Sequence, residues 1–490
     1  MAKGSNHVVL VPLPAQGHLL PILYLARKLA AHGFAVTIVN IDSVHESVKQ
    51  NWKNVPQQDI RLESIQMELK VPKGFDAGNM DAVAAFVDSL QALEEPLADL
   101  LAKLSAARAV SCVISDFYHP SAPHAASKAG MPSVCFWPGM ASWASIQYSQ
   151  PSMIAAGYIP VDGKVGSFFW SFFLSEFFSK LPESNASEIV DLPGLKPMRA
   201  DDLPFYLRKD FYHKLGRDRF LRQLERAAKD TWVLANSFYE LEPQAFDAMQ
   251  HVVPGKFVPV GPLFPLRDRK ASGMEASLRP EDHSSIGWLD RKPPKSVLYV
   301  AFGSITVLSP GEFEELARGL EESGHPFLFS VPREMVPEVG DDRVGEFAER
   351  AARSGAGMVV RWAPQLAVLQ HPSVGGFLSH CGWNSILESV SSGVPVLGWP
   401  IASEQNTNCK LALQERGIGM ELADRSSDGV ASAVRELMAS EELRRNVAEI
   451  GRNARAAATA GGSSHRNLHD FFHSCQDREI LLQIKQQSLI

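Results

Sequence analysis

Residues 362–405 read WAPQLAVLQHPSVGGFLSHCGWNSILESVSSGVPVLGWPIASEQ. Two apolar runs within it, 374–378 and 394–399, predict short buried strands of a parallel sheet. Between them, Cys381-Gly382-Trp383-Asn384-Ser385 predicts a tight turn that opens a helix over 386–390. Gly382 lets the backbone approach a ligand closely, and Asn384 and Ser385 are residue types favoured at helix N-caps. Free N–H groups and the positive end of the helix dipole then suit a phosphate. His380, at the strand end, is placed to donate to the same anion.

Outward from this block, the chain alternates strand and helix in two halves. The first half carries strand-like runs at 7–13, 35–40, 60–65, 110–116, 133–137 and 232–236, with helical patterns such as 19–31 between them. The second half begins near Phe257, with runs at 296–303, 326–331 and 357–362 before the two of the block. This pattern predicts two doubly wound α/β domains, whose ligands bind at the carboxyl ends of the strands. The polar stretch 267–285 reads as a flexible linker, and no repeat of solenoid period is present. Gly461-Gly462-Ser463-Ser464 ends one helix and opens another over 465–475.

Composition narrows the class. A chain of 490 residues with 45% hydrophobic and 21% charged residues can bury two sizeable cores. A net charge of −7 with no basic cluster argues against a nucleic-acid partner. Cys112, Cys135, Cys381, Cys409 and Cys475 show no C-x-x-C spacing and read as buried thiols in a reducing, cytoplasmic setting. The N-terminus lacks the layout of a signal peptide, and Asn185-Ala186-Ser187 is a sequon by letter alone. The Phe-rich stretch 168–178 is too short and too interrupted to span a bilayer, which takes about 20 apolar residues. Its spacing fits a core or pocket-lining helix.

Two further turns carry chemistry. The first strand ends in Pro12-Leu13-Pro14-Ala15-Gln16-Gly17-His18, and a helix N-terminus there disfavours an imidazolium, so His18 is expected to be neutral and able to accept a proton. Asp116 ends the strand 110–116, and Phe302-Gly303-Ser304 follows the strongest apolar run of the second half.

The block resembles the nucleotide-sugar signature of the plant secondary-product UDP-glycosyltransferases over its whole length. That resemblance implies the GT-B architecture: two facing Rossmann-like domains, with a C-terminal helix crossing back to the first. The expected divisions are 1–255 for acceptor binding, 256–460 for the UDP-sugar, and 461–490 for the crossing helix. It implies that Trp362 stacks on uracil and the Ala363 backbone reads its edge, while Gln365 and Glu388 bond the ribose. His380, Asn384 and Ser385, with Ser304, would hold the diphosphate; Trp383, Glu404 and Gln405 would face the sugar. The family usually carries Asp before the closing Gln, where this chain has Glu404, and a hydroxyl residue where this chain has Pro138. Pro14 to His18 resembles the family's P-x-Q-G-H element, which makes His18 the catalytic base, with Asp116 behind it as orienter.

The expected reaction is an inverting transfer, most simply of glucose from UDP-glucose, to a hydroxyl of a small hydrophobic acceptor. UDP-sugar is a co-substrate; no separate cofactor is implied, and the absence of any D-x-D points to metal independence. Phe117, Tyr118, Phe136, Trp137, Met140 and Trp143 suggest a flat phenolic or flavonoid-like acceptor, with terpenoids and hormones as the alternative. A dehydrogenase would need G-x-G-x-x-G after the first strand, an epimerase has no use for His18 opposite Asp116, and a non-catalytic UDP-sugar-binding relative would be expected to lack one of that pair. The chain is expected to be a monomer.

Overall fold

Val- and Ile-rich runs form the strands of two parallel sheets. The computed structural model describes residues 6–51, 59–67, 80–155, 189–199, 202–207, 232–253, 256–266, 279–476 and 481. The first sheet contains β1 (His7–Val11), β2 (Ala35–Ile41), β3 (Ile60–Ile65), β4 (Val110–Asp116) and β5 (Ser133–Trp137). A short antiparallel pair, β6 (Ile189–Val190) and β7 (Met198–Arg199), stands apart from it. The first sheet is completed by β8 (Trp232–Ala235) and β9 (Lys256–Pro259), in the order β3-β2-β1-β4-β5-β8-β9. The second sheet contains β10 (Val297–Ala301), β11 (Phe327–Ser330), β12 (Gly357–Val360), β13 (Val374–Ser379), β14 (Val396–Gly398) and β15 (Gly419–Glu421). Its order is β12-β11-β10-β13-β14-β15. Strand order reverses between β1 and β4 in one sheet and between β10 and β13 in the other, which opens a crevice at each point.

Period-two alternation distributes the apolar side chains. Val8 and Leu10 point to one face of β1 and Val9 and Val11 to the other; Val297 and Tyr299 likewise part from Leu298 and Val300 on β10. The two sizeable cores expected from composition are joined to each other. Each sheet has its own outer cluster, but the layer between them is shared: it runs from Ile22, Trp137 and Trp232 through Leu263 to Phe377, Val396 and Val447. The helix Ser463–Gln476 adds Leu468, Phe471 and Phe472 to this layer, with Phe471 against Trp232 at 5.6 Å and Phe472 against Phe34 at 5.7 Å. Ser464 Oγ donates to the Gly261 carbonyl at 2.6 Å and Asn467 Nδ2 to that of Pro259 at 2.9 Å.

Three boundaries differ from the sequence reading. Phe257 belongs to the first sheet, because Lys256–Pro259 pairs with β8, so the chain leaves that sheet after Pro259 rather than at 255. The block's helix runs Trp383–Ser392, and its N-cap is Gly382 rather than Asn384 or Ser385. The strand Gly419–Glu421 has no Val or Ile to announce it. Residues 168–178, Asn185 and most of the expected linker, 267–278, lie outside the described residues. All five cysteines are free and buried. Among the described residues, no helix is long and apolar enough to cross a membrane.

Candidate active site

The first crevice is built by neighbouring strands. β1 and β4 are parallel, with Val11 beside Ser115, so the turn after β1 and the last residue of β4 emerge together. His18 lies in the first turn of the helix Gln16–Ala31, and its Nδ1 meets Asp116 Oδ2 at 2.9 Å. Asp116 is fully buried, and its other oxygen accepts the Tyr118 backbone N–H at 2.8 Å. A carboxylate only accepts, so the imidazole proton sits on Nδ1 and Nε2 keeps its lone pair. His18 is 25% exposed. Burial pushes its pKa down, but the charge and hydrogen bond of Asp116, with the charge of Glu404 beyond, outweigh that and set it above 6.5. The direction expected from the helix dipole, which disfavours the imidazolium, is therefore reversed, because the Asp116 carboxylate favours it. A full charge in hydrogen-bond contact exceeds the roughly half charge of a helix end.

Aromatic side chains lead away from His18. Tyr118 meets its ring edge-on at 5.5 Å and stacks on Trp143 at 5.7 Å. Trp143 Nε1 donates to the Tyr206 hydroxyl at 2.8 Å, and Gln147 Nε2 donates to the same oxygen. Phe117, Phe136, Trp137 and Met140, expected in this wall, are at most 1% exposed and belong to the core. The helix Ala141–Tyr148 that carries Trp143 and Gln147 is anchored by buried Glu242, which accepts the N–H groups of Ala141 at 3.0 Å and Ser142 at 2.8 Å.

The second crevice gathers most of the block. Gln365 Nε2 donates to Glu388 Oε2 at 2.7 Å and to Ser385 Oγ at 3.0 Å, so the two residues expected at a ribose already touch. Trp362 follows β12, and the buried Ala363 N–H is turned to Ser330 Oγ at 3.4 Å. Ser304 follows β10, half-buried. His380 follows β13 with its ring wedged between two glycines: a Cβ at Gly303 would lie 2.6 Å from its Nε2, and one at Gly382 2.4 Å. Gly303 needs its freedom for a second reason, a φ of 73°. Burial pulls the His380 pKa down to about 4, so its ring is neutral at pH 7.

Other expected positions are engaged within the protein. Asn384 Nδ2 donates to the Gly17 carbonyl at 2.5 Å, beside His18, and Asn384 Oδ1 accepts from Asn236 Nδ2 at 3.3 Å. Trp383 Nε1 donates to the Asn236 carbonyl at 2.7 Å, so its indole N–H is turned from a sugar. Gln405 Oε1 accepts the N–H groups of Ile401 and Ala402, each at 2.9 Å, which leaves its amide NH2 as the group for a ligand. Glu404 accepts from Ser403 Oγ at 2.6 Å. Next to it, Asn406 Nδ2 donates to the Leu203 carbonyl at 2.6 Å, Thr407 Oγ1 to that of Asp202 at 2.7 Å, and Phe205 N–H to that of Ser403 at 3.0 Å. The segment that carries Tyr206 is thus fastened to the loop that carries Glu404. Asn236 and Tyr206 were not singled out from sequence, since each acts from a distant segment without a local signature.

These paired crevices match known proteins. Residues 274–455 fit the family described as UDP-glucoronosyl and UDP-glucosyl transferase, and residues 5–132 fit the glycosyltransferase N-terminal domain. A 7-deoxyloganetin glucosyltransferase of Gardenia jasminoides is 33% identical over 489 residues, covering 95% of this chain and 96% of that protein. Linamarin synthase 1 of Manihot esculenta is 32% identical, covering 98% of each. The chain belongs to the plant UDP-glycosyltransferase family. Among solved structures, this UDP-glycosyltransferase resembles Medicago truncatula UGT71G1 complexed with UDP-glucose, at 25% identity and a TM-score of 0.77 over 97% of this chain and 99% of that one. Os79 from O. sativa in complex with UDP gives 26% identity and a TM-score of 0.77 over 96% and 100%. The fold of this UDP-glycosyltransferase is GT-B.

Proposed function

We propose that the enzyme transfers glucose from UDP-glucose to a hydroxyl of a small, largely apolar acceptor, with inversion at the anomeric carbon. One observation carries this reading: His18 and Asp116 are paired at the strand reversal of one sheet, and Gly17 beside them is bonded to Asn384 at the strand reversal of the other. His18 Nε2 takes the acceptor's hydroxyl proton as that oxygen attacks C1 of the sugar, and the bond from C1 to the UDP oxygen breaks. Asp116 stays ionised and stabilises the imidazolium. The leaving diphosphate is received by the N–H groups of the first turn from Trp383 to Ser385, where Gly382 provides no side-chain cap, with His380 and Ser304 alongside. Trp362 and Ala363 hold the base, Gln365 and Glu388 the ribose, and Glu404 with the Gln405 amide the sugar. The first domain supplies the acceptor site and the second the donor site.

Half-buried Tyr118 and Tyr206, with buried Trp143 packed behind them, favour an acceptor with a flat apolar face, phenolic in kind. A second reading, an iridoid or cyanogenic acceptor, is favoured by the relatives named for 7-deoxyloganetin and linamarin. The two are separated by a panel of both classes, read by mass spectrometry. His18→Ala should cost about 10²- to 10⁴-fold in transfer while UDP binding holds. Near-normal turnover of the variant would remove His18 from the base role, and no product from the unaltered enzyme with any acceptor would favour a binding protein. Transfer should also survive EDTA, since the diphosphate is held by N–H groups and side chains; loss restored by a divalent cation would refute metal independence. The free buried thiols support a reducing, cytoplasmic location.

A further inference from the structure

One cation ties together three strand ends of the donor-side sheet. Arg279 lies on the connection between the two sheets, and its guanidinium stands over the Trp362 ring, 5.1 Å from the centroid. Its Nη1 bonds Glu334 Oε2 at 2.6 Å, and its Nη2 reaches the Ser304 carbonyl at 3.4 Å. Ser304 follows β10, Glu334 follows β11 and Trp362 follows β12, and those strands are consecutive in the sheet. Asp282, on the same connection, donates its N–H to the Trp362 carbonyl at 2.7 Å. Trp362 is therefore held through its ring and through its backbone by one short stretch.

We propose that Arg279 is a positioning residue for the nucleotide base: it backs the Trp362 indole, so that the opposite face of the ring is presented to uracil. This rests on the reading that Trp362 receives the base. A planar guanidinium suits the task because it stacks on an aromatic face while donating in its own plane to two acceptors. A lysine has the charge but not the plane. An Arg behind the indole also makes the ring's position depend on the stretch from Arg279 to Asp282.

The test compares binding of UDP and of uridine by calorimetry, with steady-state kinetics, for the enzyme and for Arg279→Ala, Arg279→Lys, Glu334→Gln and Trp362→Ala. Arg279→Ala should weaken UDP and uridine by the same factor, about tenfold for a cation–π contact with its hydrogen bonds. It should raise the donor KM by that factor and leave kcat and the acceptor KM near their original values. Arg279→Lys should behave like the alanine variant, and Glu334→Gln should show a smaller loss in the same direction. Thermal melts run beside the binding separate a platform effect from unfolding, and the uridine result is one that general destabilisation would not reproduce selectively. Loss for UDP with uridine unaffected would overturn the proposal, because Arg279 would then act on the diphosphate charge. Native binding by Arg279→Ala beside a weakened Trp362→Ala would overturn it too. Native UDP binding by Trp362→Ala would instead refute the base site on which the proposal stands.

Discussion

At the scale of single residues, the raised His18 pKa pulls turnover and stability in opposite directions. Proton removal needs the free Nε2 lone pair, so at saturating donor kcat/KM for the acceptor should rise with pH through the folded pKa, which lies above 6.5. Asp116→Asn removes the charge that raises it, so the acidic limb should move to lower pH while the plateau falls. A pH–rate profile of the two enzymes checks both, and an unmoved limb would show that another group sets it. Stability runs the other way. The folded protein binds the proton more tightly than the unfolded chain, so the pair's contribution is full below about pH 6.5 and fades as pH rises through the folded value. The melting difference between the enzyme and His18→Ala should accordingly shrink as pH rises above about 6.5. Much of this pair was legible in the sequence, because a His after a strand and an Asp ending another are local signals. The sign of the shift was not. It depends on a 2.9 Å contact between residues that only the sheet order makes neighbours.

At the scale of elements, the block was readable because it is contiguous, and its strand-turn-helix carries both the apolar period and the turn residues. The start of the helix was misread because Asn384 and Ser385 have the chemistry of caps, yet the Asn384 amide is drawn across to Gly17 and Asn236. Gly382 was read as room for a ligand; the structure shows it as room for His380. Its φ of −63° is ordinary, so only the side chain is forbidden there. Gly382→Ala should therefore push the His380 ring from its place and raise the donor KM by about tenfold or more, since one strong polar contact is worth roughly 1.5–3 kcal/mol. Its melting temperature should fall as well, since displacing a buried, wedged ring costs about 1–3 kcal/mol, although no backbone strain is added. Donor kinetics beside a thermal melt test this, and an unchanged KM would mean that His380 does not touch the donor. β9 and β15 were misplaced or missed for a common reason. Short edge strands with few β-branched residues have too little pattern to distinguish them from loop.

At the scale of the molecule, the shared middle layer changes what truncation should do. Removing residues 461–490 uncovers the partners of Leu468, Phe471 and Phe472, each buried at 7% exposure or less. At about 1.5–3 kcal/mol per large apolar side chain, that approaches the whole stability of a domain, about 5–15 kcal/mol. The truncated chain should lose its cooperative melt altogether rather than survive as a UDP-binding half, and a sharp transition with intact UDP binding would show that the second domain folds alone. Milder damage, as in Asn467→Ala, should lower transfer while the fold persists. The clasp between Asp202–Leu203 and Asn406–Thr407 has an implication for recombination between relatives. In these two bonds the first-domain side contributes main-chain carbonyls, whereas the second contributes the Asn406 and Thr407 side chains. A parent that supplies the first half can therefore be almost any sequence that traces the same path. The parent that supplies the second half must bring the amide and the hydroxyl, so hybrids of one cross should seat Tyr206 correctly and those of the reciprocal cross should not.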